Sequence, residues 1–198
     1  MGRCARSRAA SRQGAIVVLL SVLWFLQSSW LTAQESEFIN REYQIKAAYL
    51  YNFAKYVEWP AEFAPVAENN EPVFVIGVVG KSPFEGALRE VAREKKVGEK
   101  RIVVHSVQGK EDVGACHILY FPADTQPGLV RAILSQVKST PTLTVGEMEG
   151  FLESGGILNF FVEENKIRFA IDPDVAAKSQ MKISSKLLNI ARTTQTKP

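Results

Sequence analysis

Two short runs almost unbroken in apolar residues, Val73 to Val79 and His117 to Phe121, are each followed by a segment that carries helix start signals. A strand apolar on both sides has to be covered on both faces, which is the situation of a parallel sheet wrapped by helices. After the first run, Ser82-Pro83-Phe84-Glu85 reads as a capping box with proline at the first helical position, opening a helix to about Lys96. Further strands are expected over 101–107 and 142–145, with helices over 127–138 and 147–153, the latter stopped by Gly155-Gly156. Segments 157–162 and 166–171 read as a hairpin around Glu163-Glu164-Asn165, and Asp172 caps a last helix that starts at Pro173 and runs to about Thr193. The fold class that follows is α/β: a single domain with a mostly parallel or mixed sheet, helices on both faces, and a C-terminal hairpin plus helix.

Ahead of this pattern, Arg3, Arg6, Arg8 and Arg12 form a basic lead, and Ala15 to Leu26 an apolar stretch. Ala33 ends a cleavage site before Glu35 and Glu37, as in a secretory signal. A helix of those apolar residues would rise about 18 Å against a hydrocarbon core of about 30 Å. Cleavage after Ala33 is therefore the expectation, with 1–33 as signal and 34–198 as the exported domain. Leu31, where a small residue is usual, keeps an uncleaved anchor as the alternative. Removal of 33 residues from 198 leaves 165, enough for one well-buried core, and the loss of four arginines and no acids takes the net charge from +3 to −1. The basic balance of the full chain is thus carried by the signal, and nucleic acid is not implied as a partner. Cys4 leaves with the signal, so the exported protein has one thiol, Cys116, and must be held by packing without an internal disulfide.

The helix expected over 41–57, which must stop before Trp59-Pro60, is apolar on two sides. Ile45, Ala48, Tyr49, Asn52, Phe53 and Tyr56 share one stripe, and Tyr43, Ala47, Leu50, Ala54 and Val57 another, with Lys46 and Lys55 between them. Either the sheet and a neighbouring helix cover both stripes, or the second, which holds Leu50 and has Tyr51 beside it, is a surface for a partner or a second copy. Trp59 and the outer face of the last helix are the other places for such a surface. On that last helix, Lys178, Lys182 and Lys186 line up opposite Ala176, Gln180, Ile183, Leu187 and Ala191. They form a solvated face or one that docks on something acidic.

Signals for catalysis are sparse. Gly80-Lys81-Ser82 lies between a strand and a helix, but position 75, where a phosphate-binding loop needs glycine, is Val. The segment reads as a capped turn with at most weak anion binding. Adjacent Cys116 and His117 would point to opposite sides of a strand and so form no dyad, and His105 has no second ligand at metal-binding spacing. Neither a GxSxG nor an HExxH pattern is present, and the chain is read as non-enzymatic, without cofactor or metal.

Several segments together carry a resemblance: Lys46-Ala47-Ala48-Tyr49-Leu50-Tyr51-Asn52-Phe53-Ala54-Lys55-Tyr56-Val57-Glu58-Trp59-Pro60, Ile76-Gly77-Val78-Val79-Gly80-Lys81-Ser82-Pro83-Phe84, Cys116-His117-Ile118-Leu119-Tyr120, Leu143-Thr144-Val145-Gly146, Gly155-Gly156-Ile157-Leu158-Asn159-Phe160 and Lys182-Ile183-Ser184-Ser185-Lys186-Leu187-Leu188. In this order they resemble the YfiR-like family of exported bacterial proteins. The resemblance implies a periplasmic regulator without known catalysis. Its best-understood members restrain an inner-membrane GGDEF-type diguanylate cyclase by binding its periplasmic sensor region and so lower cyclic di-GMP. A homodimer is compatible with it, and contact with the membrane would be through the partner only. The rival readings are a periplasmic small-molecule binding module and, behind it, an unrecognised enzyme. With a single cysteine left, an intramolecular disulfide switch has no second thiol here.

Overall fold

A computed structural model describes residues 41–67, 70–84 and 86–193. The expected signal and its cleavage site after Ala33 lie outside the described residues.

Helix α1 covers 41–56 and runs directly into the short strand β1 (Val57–Glu58). The sheet begins with β2 (Val73–Val79), followed by α2 (Ala87–Glu94), the two-residue β3 (Lys96–Val97) and β4 (Lys100–Val107). Then come β5 (Ile118–Phe121), α3 (Pro127–Val137) and β6 (Leu143–Gly146). The hairpin β7 (Leu158–Glu163) and β8 (Lys166–Ile171) leads to α4 (Pro173–Lys178), β9 (Lys182–Ile183), α5 (Ser185–Leu188) and β10 (Arg192–Thr193). Eight strands form one mixed sheet in the order β10-β8-β7-β6-β5-β2-β4-β3, and β1 pairs antiparallel with β9 beside it. The five strands β4, β2, β5, β6 and β7 are parallel neighbours, and β3 and β8 are antiparallel to theirs.

The expected α/β class holds, and the apolar runs are explained by it. Alternate residues of β2 enter two cores: Phe74, Ile76 and Val78 join α1, α2, α4 and α5 on one face, and Val79 joins α3 on the other. Gly77 lies on the α3 side, where a Cβ would stand 2.7 Å from Leu119 Cδ2 and 2.9 Å from Cys116 Sγ, so only glycine lets these residues close over β2. The hairpin turn Glu164-Asn165 has positive φ at both residues, the two-residue geometry that matches strand twist.

Three local expectations differ from the structure. No capping box opens α2: the helix starts at Ala87 behind Gly86, whose φ of 111° only glycine adopts without strain, and its end gives way to β3. Residues 147–155 make turns with left-handed Gly150 and Gly155 instead of a helix. Most consequential, the single last helix is broken. Asp172 does cap α4, its Oδ1 accepting from Asp174 and Val175 N–H at 3.0 Å each. Gln180 then turns left-handed (φ 61°), and Ile183 leaves the helical path to pair with Val57. Pairing with β1 thus outweighs a helix propensity worth only tenths of a kcal/mol per residue.

Candidate partner-binding surface

The structure corrects the reading of α1. Leu50 is fully buried, as are Ala47, Ala54 and Val57, so the stripe expected to associate is core, and Leu50 offers a partner nothing. Phe53 is core too, stacked on Tyr49 and Phe160 and edge-on to Phe169. What faces outward is part of the stripe expected inside: Ile45 (43% exposed), Ala48, Asn52 and Tyr56. The physical reason is that α1 lies against one sheet face as a single-sided helix whose inner arc runs from Lys46 and Ala47 through Leu50 and Phe53 to Val57. Asn52, being exposed, needs no buried partner.

Tyr51 is half-buried, with its hydroxyl donating to the Lys96 carbonyl at 3.3 Å and Lys55 Nζ 5.5 Å from its ring centroid. It seals α1 against β3 and leaves one edge in solvent. Trp59 is half-buried, edge-on to Phe74 and His117, and its indole N–H is buried without a hydrogen-bond partner among the described residues. The three lysines no longer form a helical stripe. Lys178 ends α4, Lys182 sits in β9 opposite Glu58, and Lys186 is in α5, all three exposed.

One cluster went unrecognised in the sequence. Lys46, 4% exposed, is ion-paired with Glu42 and with the buried carboxylate of Glu147. Glu147 Oε1 also accepts from the Tyr43 hydroxyl and from Ala123 N–H, both at 3.1 Å. The Tyr120 hydroxyl has no partner among the described residues; burial first, and the Glu147 charge second, push its ionisation far above the ordinary phenol range. Tyr43 is shifted the same way for the same two reasons. Glu147 follows β6 and Ala123 follows β5, so this cluster stands at the carboxyl ends of the strands, beside the point where the chain crosses over β2 and strand order reverses. Open α/β sheets keep ligands in that crevice. Here the protein's own Lys46 and Tyr43 reach into it. The single sequence cue was a lysine adjoining the buried arc of an amphipathic helix.

A cavity of about 400 Å³ remains beside it, at the ends of β2 and β4. Gly80, Lys81, Ser82, Arg89, Ser106 and Gln108 line it over an apolar floor of Val78, Phe84 and Leu88. The Gln108 amide donates to Ser106 Oγ at 2.7 Å.

Cys116 and His117 do point to opposite faces. The Cys116 thiol, buried in the α3-side core, donates to the Val113 carbonyl at 3.0 Å, and burial pushes its pKa up to about 12. It is a packing group and no nucleophile. His117 is 1% exposed and stacked on Phe74 at 4.2 Å, and its Nδ1 accepts from Val75 N–H at 3.1 Å. Burial, and secondarily the Lys100 charge, lower its pKa to about 4. His105 is held by the Asp112 carbonyl, 2.9 Å from Nε2. No group of three His, Cys, Asp or Glu side chains among the described residues could hold a metal ion.

The fold and these surfaces define an α/β protein with a plugged crevice at the strand ends and an open, polar cavity beside it. The chain belongs to the YfiR/HmsC-like family, whose model matches residues 43–192. No match was found among curated proteins. The family is regulatory and periplasmic, and among the described residues no helix is long and apolar enough to cross a membrane.

Proposed function

We propose that this protein is an exported regulator that binds the periplasmic region of an inner-membrane signalling protein, a GGDEF-type diguanylate cyclase, and lowers cyclic di-GMP without catalysis of its own. The observation that carries this is the family match across nearly the whole α/β unit. Binding restrains the cyclase only through its differential affinity for two conformations, and holding it 99% inactive from an even balance takes about a hundredfold preference, roughly 2.7 kcal/mol. The half-buried Trp59 and Tyr51 are proposed contacts as aromatic groups at the surface, and the exposed Lys178, Lys182 and Lys186 as cations that would meet acidic groups of the partner. Deleting the gene should raise cyclic di-GMP in the native cell, and affinity capture from solubilised inner membranes should recover a GGDEF protein. Unchanged cyclic di-GMP under several growth conditions would overturn the reading.

The polar cavity at Gly80, Lys81 and Ser82 favours a second reading, in which a small periplasmic anion binds there. A rise in melting temperature with added phosphate or dicarboxylates, lost in Lys81→Ala together with Arg89→Ala, would support it.

A further inference from the structure

The outer edge of β8 is open for most of its length. β10 pairs with Ala170 and Ile171, so among the described residues nothing in the sheet covers residues 166–168 on that side. The hairpin makes clear which main-chain groups are left. Glu163 and Lys166 close a two-residue turn and exchange both hydrogen bonds, as does every second pair after them, so Arg168 and Ala170 bond inward to β7. Ile167 and Phe169 are the intervening positions, and their N–H and C=O groups point away from β7; the parallel pairing of Arg192 with Ala170 takes the Phe169 carbonyl, which leaves the Ile167 N–H and C=O and the Phe169 N–H on the open edge.

The side chains along this edge have a pattern. Ile167 and Phe169 belong to the α1 face, where Ile167 is opposite Val162 (58% exposed) and Phe169 packs on Tyr49, one helical turn from the exposed Ile45. Lys166 and Arg168 belong to the other face, exposed and without an ion pair among the described residues, since the neighbouring Glu163 is taken by Arg192. Such an edge is a template for one more strand. Two copies of this chain pairing edge to edge would gather four cations on one face, which disfavours self-association. A strand alternating apolar and acidic residues would meet apolar side chains on one face and cations on the other.

Resting on the partner-binding reading above, we propose that the β8 edge, centred on Ile167 and Phe169, is where the partner docks, by adding an extended segment of alternating apolar and acidic residues to this sheet. The test uses the exported protein and a synthetic twelve-residue peptide alternating valine and glutamate. It should bind and slow hydrogen exchange at the Ile167 and Phe169 amides, with binding at least tenfold weaker for a valine–lysine peptide and for a copy N-methylated at alternate valines. Ile167→Pro removes an N–H that β7 does not use and is tolerated at a strand edge, yet it should weaken binding at least tenfold. The double variant Lys166→Glu/Arg168→Glu, altered only at exposed positions, should reverse the preference toward the lysine peptide, and it stands as the test should Ile167→Pro fail to fold. Unslowed exchange at 167 and 169, or an unchanged preference in the charge-reversed variant, overturns the proposal. Capture from inner membranes separates it from the functional reading. A cyclase recovered with wild type and lost with Ile167→Pro supports both; recovery with both proteins overturns the docking edge alone; recovery with neither, while the peptide still protects 167 and 169, overturns the cyclase reading alone.

Discussion

His117 should make this protein acid-sensitive well above the range in which carboxylates titrate. In the folded chain its Nδ1 must stay unprotonated to accept from Val75 N–H, and the ring lies between Phe74, Trp59 and Phe63 with almost no access to water. Its pKa is accordingly about 4, against 6.5 for an ordinary histidine. An unfolded chain therefore takes up a proton near pH 6.5 that the folded chain refuses until about 4. Stability from this group is complete above pH 6.5, is lost as pH falls from 6.5 toward 4, and changes no further below that. The gap between the two values is worth about 3 kcal/mol over the whole window, at ~1.4 kcal/mol per pH unit. Roughly 2 kcal/mol of it falls between pH 6.5 and 5, before most carboxylates titrate. Urea unfolding followed by Trp fluorescence at pH 7.5, 6.5, 5.5 and 5.0 measures it directly. His117→Asn keeps an acceptor near the Val75 N–H but neither titrates nor stacks, so it should be less stable at pH 7.5 and markedly flatter with pH. Equal slopes for the two proteins would refute the argument and transfer the acid sensitivity to other groups.

Phe53→Ala should cost about 3–5 kcal/mol through cavity formation, and Leu50→Asp at least as much, because it buries an unpaired charge; Tyr51→Ala should cost about 1 kcal/mol, all read from urea midpoints. Lys46→Met leaves Glu147 buried and unpaired and should cost about 3–5 kcal/mol, while adding Glu147→Gln should return a large part of it in a double-mutant cycle. Cys116→Ser should lower stability by about 1 kcal/mol equally under oxidising and reducing conditions, and a redox-dependent melting temperature that vanishes in the variant would instead reveal a reactive thiol. Mass spectrometry of the exported protein should find its first residue at Gln34 or within a few positions; a full-length, membrane-embedded product would rule the cleavage out.

The elements that could be read in the sequence are those in which local preference and tertiary demand agree. β2 and β5 are apolar on both faces because both are covered, and the hairpin announces itself through Glu164-Asn165 and the alternating residues beside it. Asp172 and Pro173 mark the start of α4 by capping chemistry that acts within one turn. The C-terminal segment failed for the opposite reason. From Pro173 onward the residues keep a helical period, but the bond from Ser184 N–H to the Tyr56 carbonyl and the pairing of Ile183 with Val57 involve a segment over a hundred positions earlier. No window of local sequence contains that contact.

The same separation explains why the Leu50 stripe of α1 is core and part of the Ile45 stripe is exposed, against the expectation. An amphipathic period fixes which residues share a face, and it says nothing about which face the sheet takes when both carry aromatic and aliphatic side chains. The deciding groups were polar. Lys46 can be buried only where a carboxylate waits, and Glu147, brought to the strand ends by β6, supplies it, so the arc containing Lys46 turns inward and Leu50 goes with it. The open β8 edge is hidden in the same way. Ile167 and Arg168 alternate as in any edge strand, and the gap beside them exists because the chain returns as β10 only at Arg192, while the residues that its register would set alongside 166–169, namely 188–191, end α5 and turn after it. A docking edge made this way is a product of topology, so its apolar and cationic alternation acquires meaning only once the neighbouring strand is seen to stop short.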